Sequence, residues 1–299
     1  MEIKDCVAVI TGAGSGIGRA IALGLAAEGA DVVAADVNDE SRDEVCRKIE
    51  GLSRKALSVH TDVSKLESIQ NLFDRTMAEM GRADILVNNA GVHMSGPFDK
   101  VTHSDWEWII DINLWGVINM VHVFLPHFLK RGSGHIVNTA SIAGQVGTAD
   151  PAIPYTVTKF GVVGLSEGLA VFLRDKGVGV SVVCPGLVQT NIGESSRQIK
   201  AGDETDVARE RLREAMKGKS WKETPRLRDA HVLMPEDVAD QTIRAIKDNT
   251  FRVLTHPNSI EMMRERIDNI EGMIERRARE AAERNKMLLE LLKGEGQAM

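Results

Sequence analysis

The sequence predicts a doubly wound α/β domain, in which a parallel sheet of about seven strands carries helices on both faces. Two observations predict it: short apolar, β-branched runs recur along the chain, and longer helical patterns separate them. Strands that are apolar on both faces are typical of covered parallel sheets, and regular strand–helix alternation indicates the doubly wound order. The predicted strands are Val7–Ile10, Val32–Ala35, Ala56–Val59, Ile85–Val87, His135–Asn138, Val180–Val183 and Phe251–Leu254.

Helical patterns fill the intervals, and no repeat or low-complexity linker interrupts residues 1–255, which we therefore expect to form one domain. Within it, residues 191–234 are dense in Lys, Arg and Glu, which favours a lid or surface segment. The predicted helices of the domain are Gly16–Glu28, Leu66–Met80, Trp106–Leu129, Tyr155–Asp175 and Pro235–Asp248.

We expect residues 256–299 to form a C-terminal helical extension. A helical pattern runs from Ile260 to Leu292, and Gly272 weakens it. Its apolar residues recur at spacings of three and four, which suits packing on the domain or on a partner subunit. This stripe is Ile260, Met263, Ile267, Ile270 and Ile274.

Composition narrows the possible functions. The 299 residues carry a formal net charge of -6, which argues against a nucleic-acid partner. No segment reaches the apolar length that we expect of a membrane span, and the N-terminal residues do not resemble a signal peptide. Cys6, Cys46 and Cys184 are isolated and lack a partner at metal-ligand spacing, so we expect no metal, a reducing compartment and a cytoplasmic protein.

A glycine-rich turn, residues 11–18 with the sequence TGAGSGIG, follows the first predicted strand and opens a helix. Glycines let the backbone approach a pyrophosphate, and the helix N-terminus directs N–H groups at it. A plain tight turn is the alternative, but the strand–turn–helix context favours a dinucleotide. Asp36 ends the second strand, where a carboxylate can bind the ribose hydroxyls and repel a 2′-phosphate. Residues 37–39 supply no cation, so the sequence predicts NAD rather than NADP; a capping or loop aspartate is the alternative.

Tyr155 is the only tyrosine, and it lies four residues before Lys159. Positions i and i+4 share a helix face, so both side chains can address one small ligand. A phenol acts as a base only if its pKa falls from about 10, and a fall of ~3 units needs roughly 4 kcal/mol. An ammonium ~4.5 Å away at an effective dielectric of ~20 supplies about that much. We therefore expect Lys159 to lower the pKa of Tyr155; a packed tyrosine beside a solvated lysine is the alternative.

With these motifs the chain resembles the short-chain dehydrogenase/reductase family, in its single-domain NAD-dependent branch with a Rossmann-type fold, over residues 4–255. Further motifs in the family's order carry the resemblance: Asp62-Val63 for the adenine contact, Asn88-Asn89-Ala90-Gly91 after the fourth strand, Asn113, Ser141, and Pro185-Gly186 with Thr190 for the nicotinamide carboxamide. The resemblance implies that the catalytic residues are Asn113, Ser141, Tyr155 and Lys159. It implies an NAD site formed by Gly12, Ser15, Gly16, Ile17, Gly18, Asp36, Asp62, Val63, Asn89, Ala90, Gly91, Tyr155, Lys159, Pro185, Gly186, Val188 and Thr190.

The resemblance also implies individual roles. Ser141 would hydrogen-bond the substrate oxygen, with a turn-capping serine as the alternative. Asn113 would anchor a water that links Lys159 to solvent, with a polar residue on a helix surface as the alternative. His93 either lines the substrate pocket or is an ordinary loop residue. One residue more than usual separates Ser141 from Tyr155, and it either bulges outward or reshapes the pocket wall.

The activity implied is the interconversion of a secondary alcohol and a ketone with NAD(H). A looser likeness to bacterial Cα-dehydrogenases of lignin-derived β-aryl ethers favours a bulky aryl substrate; it lies in Trp106–Asn119, Asn191–Arg197 and Thr255–Pro257. A steroid, a hydroxyacyl compound or a small diol stays open, and so does a non-catalytic nucleotide-binding regulatory protein. The resemblance also implies a homodimer or homotetramer, as is common in the family, built on the helices Trp106–Leu129 and Tyr155–Asp175.

Overall fold

A computed structural model describes residues 1–147, 152–193, 195–202, 204, 206–207 and 231–293. Nine strands lie in this part of the chain: β1 Val7–Thr11, β2 Asp31–Asp36, β3 Ala56–His60, β4 Ile85–Asn88, β5 Met94–Ser95, β6 Gly134–Thr139, β7 Val178–Cys184, β8 Arg197–Gln198 and β9 Arg252–Leu254. The helices are α1 Gly16–Ala27, α2 Asp39–Gly51, α3 Leu66–Met80, α4 His103–Ile110, α5 Gly116–Arg131, α6 Ala143–Val146, α7 Ile153–Leu173, α8 Pro235–Asp248, α9 Ser259–Asp268 and α10 Ile270–Lys293.

Seven of the strands form one sheet in the order β3-β2-β1-β4-β6-β7-β9, and every pair in it is parallel. The seven predicted strands and the doubly wound class are confirmed. The strand order reverses between β1 and β4, which opens a crevice at their carboxyl ends. The short strands β5 and β8 form a separate parallel pair beside this crevice.

Apolar residues fill both faces of the sheet. On one face, α1, α2 and α8 bury side chains such as Leu25, Ile49 and Ile246 against the strands. On the other face, α3, α5 and α7 bury Leu72 and Phe124 among their contacts. Because both faces are covered, the strands can be continuously apolar, which is the pattern that made them recognisable.

Asp84, a buried residue just before β4, joins the amino ends of three strands. Its carboxylate accepts hydrogen bonds from the Val7 N–H group at 2.8 Å and from Arg131 at 2.8 Å, and it also pairs with Arg82. Its main-chain N–H donates to the Val7 carbonyl at 2.8 Å, and its carbonyl accepts the His135 N–H at 2.9 Å. The start of β4 is therefore fixed to β1 and β6 by charge-assisted hydrogen bonds.

Helix α2 was not among the predicted helices. Its sequence is strongly polar, and only Val45, Cys46 and Ile49 supply apolar side chains to the core. Its start is defined instead by Asn38, whose side chain accepts the Ser41 N–H at 3.0 Å. A single cap and a three-residue stripe are weaker signals than the long apolar faces of α5 and α7.

The predicted helix Trp106–Leu129 begins earlier, at His103, and is divided. Thr102 and Asp105 form a capping box that sets the start. After Ile110 the backbone makes one π-helical turn, Asp111–Trp115, before α5 continues. Such turns insert an extra residue and re-aim the side chains that follow, and they are frequent at functional sites.

The extension forms two helices, α9 and α10, where one was predicted. Asn269 leaves the helical conformation between them, and its side-chain oxygen accepts the Gly272 N–H at 3.0 Å. A Cβ at Gly272 would lie 2.3 Å from the Asn269 amide nitrogen, so this glycine makes room for the cap. Most of the predicted stripe is exposed in the described part of the chain: Ile267 is 76% and Ile274 58% exposed, while Met263 is half-buried. Among the side chains of α10 that the structure describes, Met273 is buried.

Two described helical segments have the length and apolar composition of membrane spans: His103–Arg131, with mean hydropathy 1.5, and Ile153–Leu173, with mean hydropathy 1.4. The expectation that no segment would reach this length was wrong. Both segments lie against the sheet and bury residues such as Phe124 and Leu173 in its core. A helix that covers an apolar sheet acquires the same composition.

Replacing Asp84 by alanine should lower the free energy of unfolding by about 3–5 kcal/mol, because the change leaves a buried N–H group and guanidinium charges unpaired. Urea denaturation followed by circular dichroism measures the loss. The matched control is Asp74→Ala, which removes an exposed carboxylate on α3 that accepts only from Gln70. It should change stability by less than about 0.5 kcal/mol. Equal losses in the two variants would contradict the role given to Asp84.

Candidate functional site

A cavity of about 1410 Å³ opens at the carboxyl ends of the central strands, where the strand order reverses. The cavity runs from Asp36 at one end to Tyr155 and the beginning of α9 at the other. All the predicted cofactor and substrate residues line it except Gly18. Asn113, predicted as catalytic, does not line the cavity either and is buried behind the lining residues. Parallel strands bring their carboxyl ends to one edge, which explains why residues so distant in sequence meet here.

The glycine turn between β1 and α1 is packed too tightly for side chains at two positions. Gly12 has a φ of +65°, and a Cβ there would lie 2.9 Å from the Ala90 Cα. A Cβ on Gly18 would lie 2.1 Å from the Gly12 carbonyl oxygen. Gly18 therefore supports the turn from below, while Gly12 and Gly16 form its wall.

Thr11 and Asn89 hold this turn against the end of β4. The Thr11 hydroxyl accepts the N–H groups of Asn89 and Ala90, both at 3.0 Å. In return the Asn89 amide donates to the Thr11 carbonyl at 3.2 Å, and its oxygen accepts the Thr139 hydroxyl at 3.3 Å. The ends of β1, β4 and β6 are thereby joined by side chains of the predicted Asn-Asn-Ala-Gly segment.

Asp36 closes the cavity at the end of β2. Its two carboxylate oxygens accept the N–H groups of Gly14 and Asn38, both at 2.9 Å. Arg42, on α2, is the nearest arginine in sequence, but it is buried and pairs with Asp39 and Asp43. No lysine or arginine is among the described wall residues at this end.

Asp62 and Val63 line the wall after β3. One Asp62 carboxylate oxygen accepts the Ser64 N–H at 2.9 Å and the Ser64 hydroxyl at 2.7 Å. Val63 packs against Gly116, where a Cβ would lie 3.0 Å from the valine side chain. Asp62 thus shapes the turn that leads into α3 and also presents its carboxyl group to the cavity.

Ser141, Tyr155 and Lys159 meet at the far end of the cavity. The Ser141 hydroxyl lies close enough to the Tyr155 phenol to lower its pKa in part, so the additional residue between them does not separate the pair. Ser141 also accepts the Ala143 N–H at 3.1 Å, which is the turn-capping contact of the alternative interpretation, and it lines the cavity. Its hydrogen bond to a substrate oxygen stays a prediction. The Lys159 ammonium lies 5.7 Å from the centre of the Tyr155 ring and donates to the Thr139 carbonyl at 2.9 Å.

The expected lowering of the Tyr155 pKa by Lys159 is not found in the protein alone. Burial raises the pKa of Tyr155, and the hydrogen bond with Ser141 opposes this only in part. Burial also lowers the pKa of Lys159 to about 8, although the nearby Cys184 thiol favours the charged form. The ammonium is directed at a carbonyl rather than at the phenol, so the pair is less strongly coupled than helical spacing implies.

Asn113 is fully buried, which excludes a position on the helix surface. It lies in the π-helical turn between α4 and α5, and its side chain binds both main-chain groups of Val92, each at 2.8 Å. Its amide also donates to the Thr158 hydroxyl at 3.3 Å, one residue before Lys159. Asn113 therefore fixes the strand-end segment that carries His93 relative to α7.

His93 lines the cavity, as predicted, and its ring centre lies 4.9 Å from that of Tyr155. The residues after it pair with the start of the segment 191–234. In this pairing Arg197 N–H donates to the His93 carbonyl at 3.0 Å, and Ile199 N–H donates to the Ser95 carbonyl at 2.8 Å. Arg197 also stacks 4.0 Å above the Trp108 ring. The predicted lid is thus fixed at its beginning; most of its remainder lies outside the described residues.

Sequence reasoning missed the wall contributed by the end of the chain. This wall follows β9 and includes His256, Pro257, Asn258, Ser259 and Met262. Its only signal was the run Thr255-His256-Pro257, which suggested a subgroup likeness but no contact. Lining residues before β9 that were not among the predicted site residues include Ile192, Ser196 and His231. Within the described residues no group of three potential metal ligands comes together.

Comparisons with known proteins agree with this arrangement. The family of short chain dehydrogenases matches residues 6–201. A C alpha-dehydrogenase from a Sphingobium species is 34% identical over 260 residues, 86% of this chain and 82% of that protein. A meso-2,3-butanediol dehydrogenase from Serratia marcescens is 39% identical over 192 residues, 64% of this chain and 75% of that protein.

Among solved structures, a short-chain dehydrogenase/reductase from Burkholderia phymatum in complex with NAD has a TM-score of 0.79 and 33% identity. The match covers 91% of this chain and 96% of that one. This chain therefore belongs to the short-chain dehydrogenase/reductase family of oxidoreductases, as its motifs predicted.

Replacing Lys159 by methionine should stabilise the fold at pH 7 by about 1–3 kcal/mol. Burial lowers the lysine pKa from 10.5 to about 8, so keeping the charged form buried costs roughly 3 kcal/mol, and the lost hydrogen bond to Thr139 reduces the gain. Between about pH 8 and 10.5 the unfolded lysine keeps a proton that the folded one has lost. Wild-type stability therefore rises with pH in this window, and the advantage of the variant disappears across it.

Chemical denaturation of both proteins at pH 7, 9 and 10.5 measures this difference. Lys65→Met, which changes an exposed lysine before α3, is the matched control and should shift stability by less than about 0.5 kcal/mol at each pH. If the Lys159→Met protein is less stable than the wild type at pH 7, burial of the charged ammonium does not carry the expected free-energy cost.

Proposed function

We propose that this protein is an NAD(H)-dependent oxidoreductase that interconverts a secondary alcohol and a ketone, with Tyr155 as the general acid and base. One observation carries the proposal. Ser141, Tyr155 and Lys159 meet at one end of a cavity whose other end is formed by the glycine turn and Asp36. A dinucleotide that lies along this cavity would bring its reactive end to the phenol.

The residues present fit NAD. The Asp36 carboxylate faces the cavity from a fixed position, held by the Gly14 and Asn38 N–H groups. Such a carboxylate accepts hydrogen bonds from ribose hydroxyls and repels a 2′-phosphate. Arg42 donates to the Asp36 main-chain carbonyl at 3.2 Å and pairs with Asp39 and Asp43, so its guanidinium is already occupied. The glycine turn and the N-terminus of α1 suit a pyrophosphate.

The proton chemistry follows from the pair Ser141 and Tyr155. Both side chains line the same cavity, and the Ser141 hydroxyl is near enough to lower the phenol pKa in part, so both can address one substrate oxygen. In oxidation the Tyr155 oxygen takes the hydroxyl proton of the alcohol; in reduction it returns a proton to the alkoxide oxygen. Bound NAD supplies the hydride acceptor and a positive charge near the phenol. Lys159 adds a positive charge 5.7 Å from the centre of the phenol ring, but it donates to the Thr139 carbonyl and is not directed at the phenol oxygen.

We propose a bulky or aryl substrate. The cavity of about 1410 Å³ exceeds the roughly 300–1,000 Å³ usual for small-molecule and cofactor sites, and its wall beyond Tyr155 is rich in apolar side chains. The similarity to a C alpha-dehydrogenase supports the same choice. These apolar residues are Val92, Ile142, Leu187, Ile192 and Met262. A steroid, a hydroxyacyl compound or a small diol is the second candidate, and the butanediol dehydrogenase relative favours the diol.

A non-catalytic nucleotide-binding role is the alternative from another class. It is disfavoured because Ser141, Tyr155 and Lys159 are all present and adjacent. A protein that only binds a nucleotide does not need a phenol held at the end of the cavity. Turnover of any alcohol would decide between the two.

We also propose a homodimer or homotetramer built on the two long apolar helical segments. Large apolar side chains are exposed there, including Trp115 at 51%, Val171 at 79% and Phe172 at 48%. Packing of these faces against a second copy would remove them from water. Residues 1–255 as one catalytic domain, residues 256–299 as an appended extension and a cytoplasmic location complete the proposal.

Replacing Tyr155 by phenylalanine should lower the rate of NAD reduction at least about 100-fold, because the proton acceptor is lost. NADH binding, followed by fluorescence, should change less than about threefold, since the ring and Lys159 remain. The assay uses benzylic, aliphatic, steroidal and hydroxyacyl alcohols and 2,3-diols. Turnover that persists without the phenol would exclude Tyr155 as the base.

A serine pair controls for nonspecific effects in the same assay. Ser141→Ala should lower kcat about 10- to 100-fold, by loss of one hydrogen bond to the reacting oxygen. Ser133→Ala changes an exposed serine before β6 and should leave kcat unchanged. Silence of the wild-type protein on the whole panel while NADH binds would favour the non-catalytic alternative.

Replacing Asp36 by serine should reduce the preference for NAD over NADP by about 10- to 100-fold, which corresponds to about 1–3 kcal/mol. The substitution removes the charge that repels a 2′-phosphate and keeps a polar side chain for the ribose. Binding of NADH and NADPH is compared by calorimetry, with Asp74→Ser as the matched exposed control. An unchanged ratio would place the ribose elsewhere.

A further inference from the structure

His256 lies in the cavity wall directly after β9 and has no part in the proton chemistry proposed above. It is 7% exposed, and its ring packs edge-to-face with His231, with the ring centres 5.7 Å apart. Its position at the start of the C-terminal extension places it opposite the segment that follows β7. Both ring nitrogens of His256 contact the main chain of that segment.

The His256 ring is hydrogen-bonded to two consecutive residues of that segment. Its Nδ1 atom accepts the Gly186 N–H at 3.2 Å, and its Nε2 atom lies 3.0 Å from the Leu187 carbonyl oxygen. A carbonyl only accepts, so Nε2 carries the proton and Nδ1 is the acceptor. The Thr255 hydroxyl, 2.8 Å from Nδ1, then donates to the same nitrogen. Burial lowers the pKa of His256, which keeps the ring in this neutral form.

Gly186 is shaped to receive this ring. A Cβ at Gly186 would lie 3.0 Å from each of the Cγ, Nδ1 and Cε1 atoms of His256, so the histidine ring occupies the space of a side chain. The neighbouring Pro185 carbonyl accepts the Ile142 N–H at 2.8 Å. The Ser141 hydroxyl donates to the same carbonyl at 3.4 Å. The segment is therefore held from the Ser141 side by two hydrogen bonds and from the C-terminal side by the imidazole.

The segment 185–188 faces the reactive end of the cavity. It lines the same space as Tyr155, while Asp36 and the glycine turn lie toward the opposite end. If the adenosine ribose binds Asp36, the nicotinamide end of NAD is the part that reaches Tyr155. The backbone of residues 185–188 is then the wall against which the nicotinamide rests.

We propose that His256 is a positioning residue that fixes the Gly186–Leu187 backbone against the nicotinamide end of bound NAD, so that the C-terminal extension contributes to cofactor binding. The proposal rests on the NAD(H) function proposed above. It separates two halves of the cofactor site: the imidazole supports the nicotinamide half, and the adenosine half depends on Asp36 and the glycine turn.

The test compares NADH with ADP-ribose, which retains the adenosine and both phosphates and lacks the nicotinamide. His256→Phe keeps a ring against Gly186 but loses both hydrogen bonds. Calorimetry should show NADH binding weakened about tenfold, as expected for the loss of roughly 1–2 kcal/mol, and ADP-ribose binding changed less than about twofold. His256→Asn restores an acceptor near the Nδ1 position and should recover part of the NADH affinity.

Two further variants make the comparison decisive. His103→Phe, at an exposed histidine on α4, is the matched control and should leave both affinities unchanged. Thr255→Val removes the hydroxyl that orients the ring, and it should weaken NADH selectively even if His256→Phe does not fold. Thermal unfolding of each variant is measured in parallel.

Each outcome separates the proposal from the function on which it rests. Selective loss of NADH affinity in His256→Phe and Thr255→Val supports the positioning role. Equal losses of NADH and ADP-ribose, or no loss of either, overturn it while the proposed function stands. A wild-type protein that binds neither compound overturns the proposed NAD(H) function itself.

Discussion

The hydrogen-bond exchange between Thr11 and Asn89 is the interaction on which the site depends. Thr11 ends β1 and Asn89 follows β4, the two strands between which the strand order reverses. Each residue binds the other's main chain, so the glycine turn cannot move relative to the wall that leads to Tyr155. A parallel sheet brings strand ends together only approximately, and these side chains fix their separation. The distance from the pyrophosphate turn to the phenol is set here.

A second constraint is the energetic cost of the buried cation. Lys159 is 4% exposed, donates to one carbonyl, and has its pKa lowered to about 8 by burial. Its neighbour Tyr155 has a raised pKa for the same reason. Burial therefore shifts both groups toward their neutral forms, although a pKa of about 8 leaves the Lys159 ammonium mostly charged at pH 7. If Tyr155 acts as the proposed base, substrate and cofactor binding must supply the remaining stabilisation of the phenolate.

The sequence predicted the sheet and the glycine turn because each rests on a local pattern, whereas the roles of Ser141 and Asn113 came from the family resemblance and stay predictions. Continuously apolar runs indicated strands that are buried on both faces. The spacing of four between Tyr155 and Lys159 indicated that the two side chains share one face of a helix. The helix α2 escaped because its stripe is only three residues wide, and the break at Asn269 escaped because it depends on a side-chain cap. His256 escaped because its partners are Gly186 and Leu187, some 70 residues earlier. Contacts of that range leave no periodic trace in a single sequence.

The strand pair β5–β8 and the segment after β7 anchor two stretches of the cavity wall that are distant in sequence. Arg197 and Ile199 are hydrogen-bonded to His93 and Ser95, and Leu233 is hydrogen-bonded to the segment after β7. Each stretch is held by main-chain groups, which any side chain except proline leaves in place. The side chains at these positions can therefore change the surface of the cavity without changing the path of the backbone that carries them.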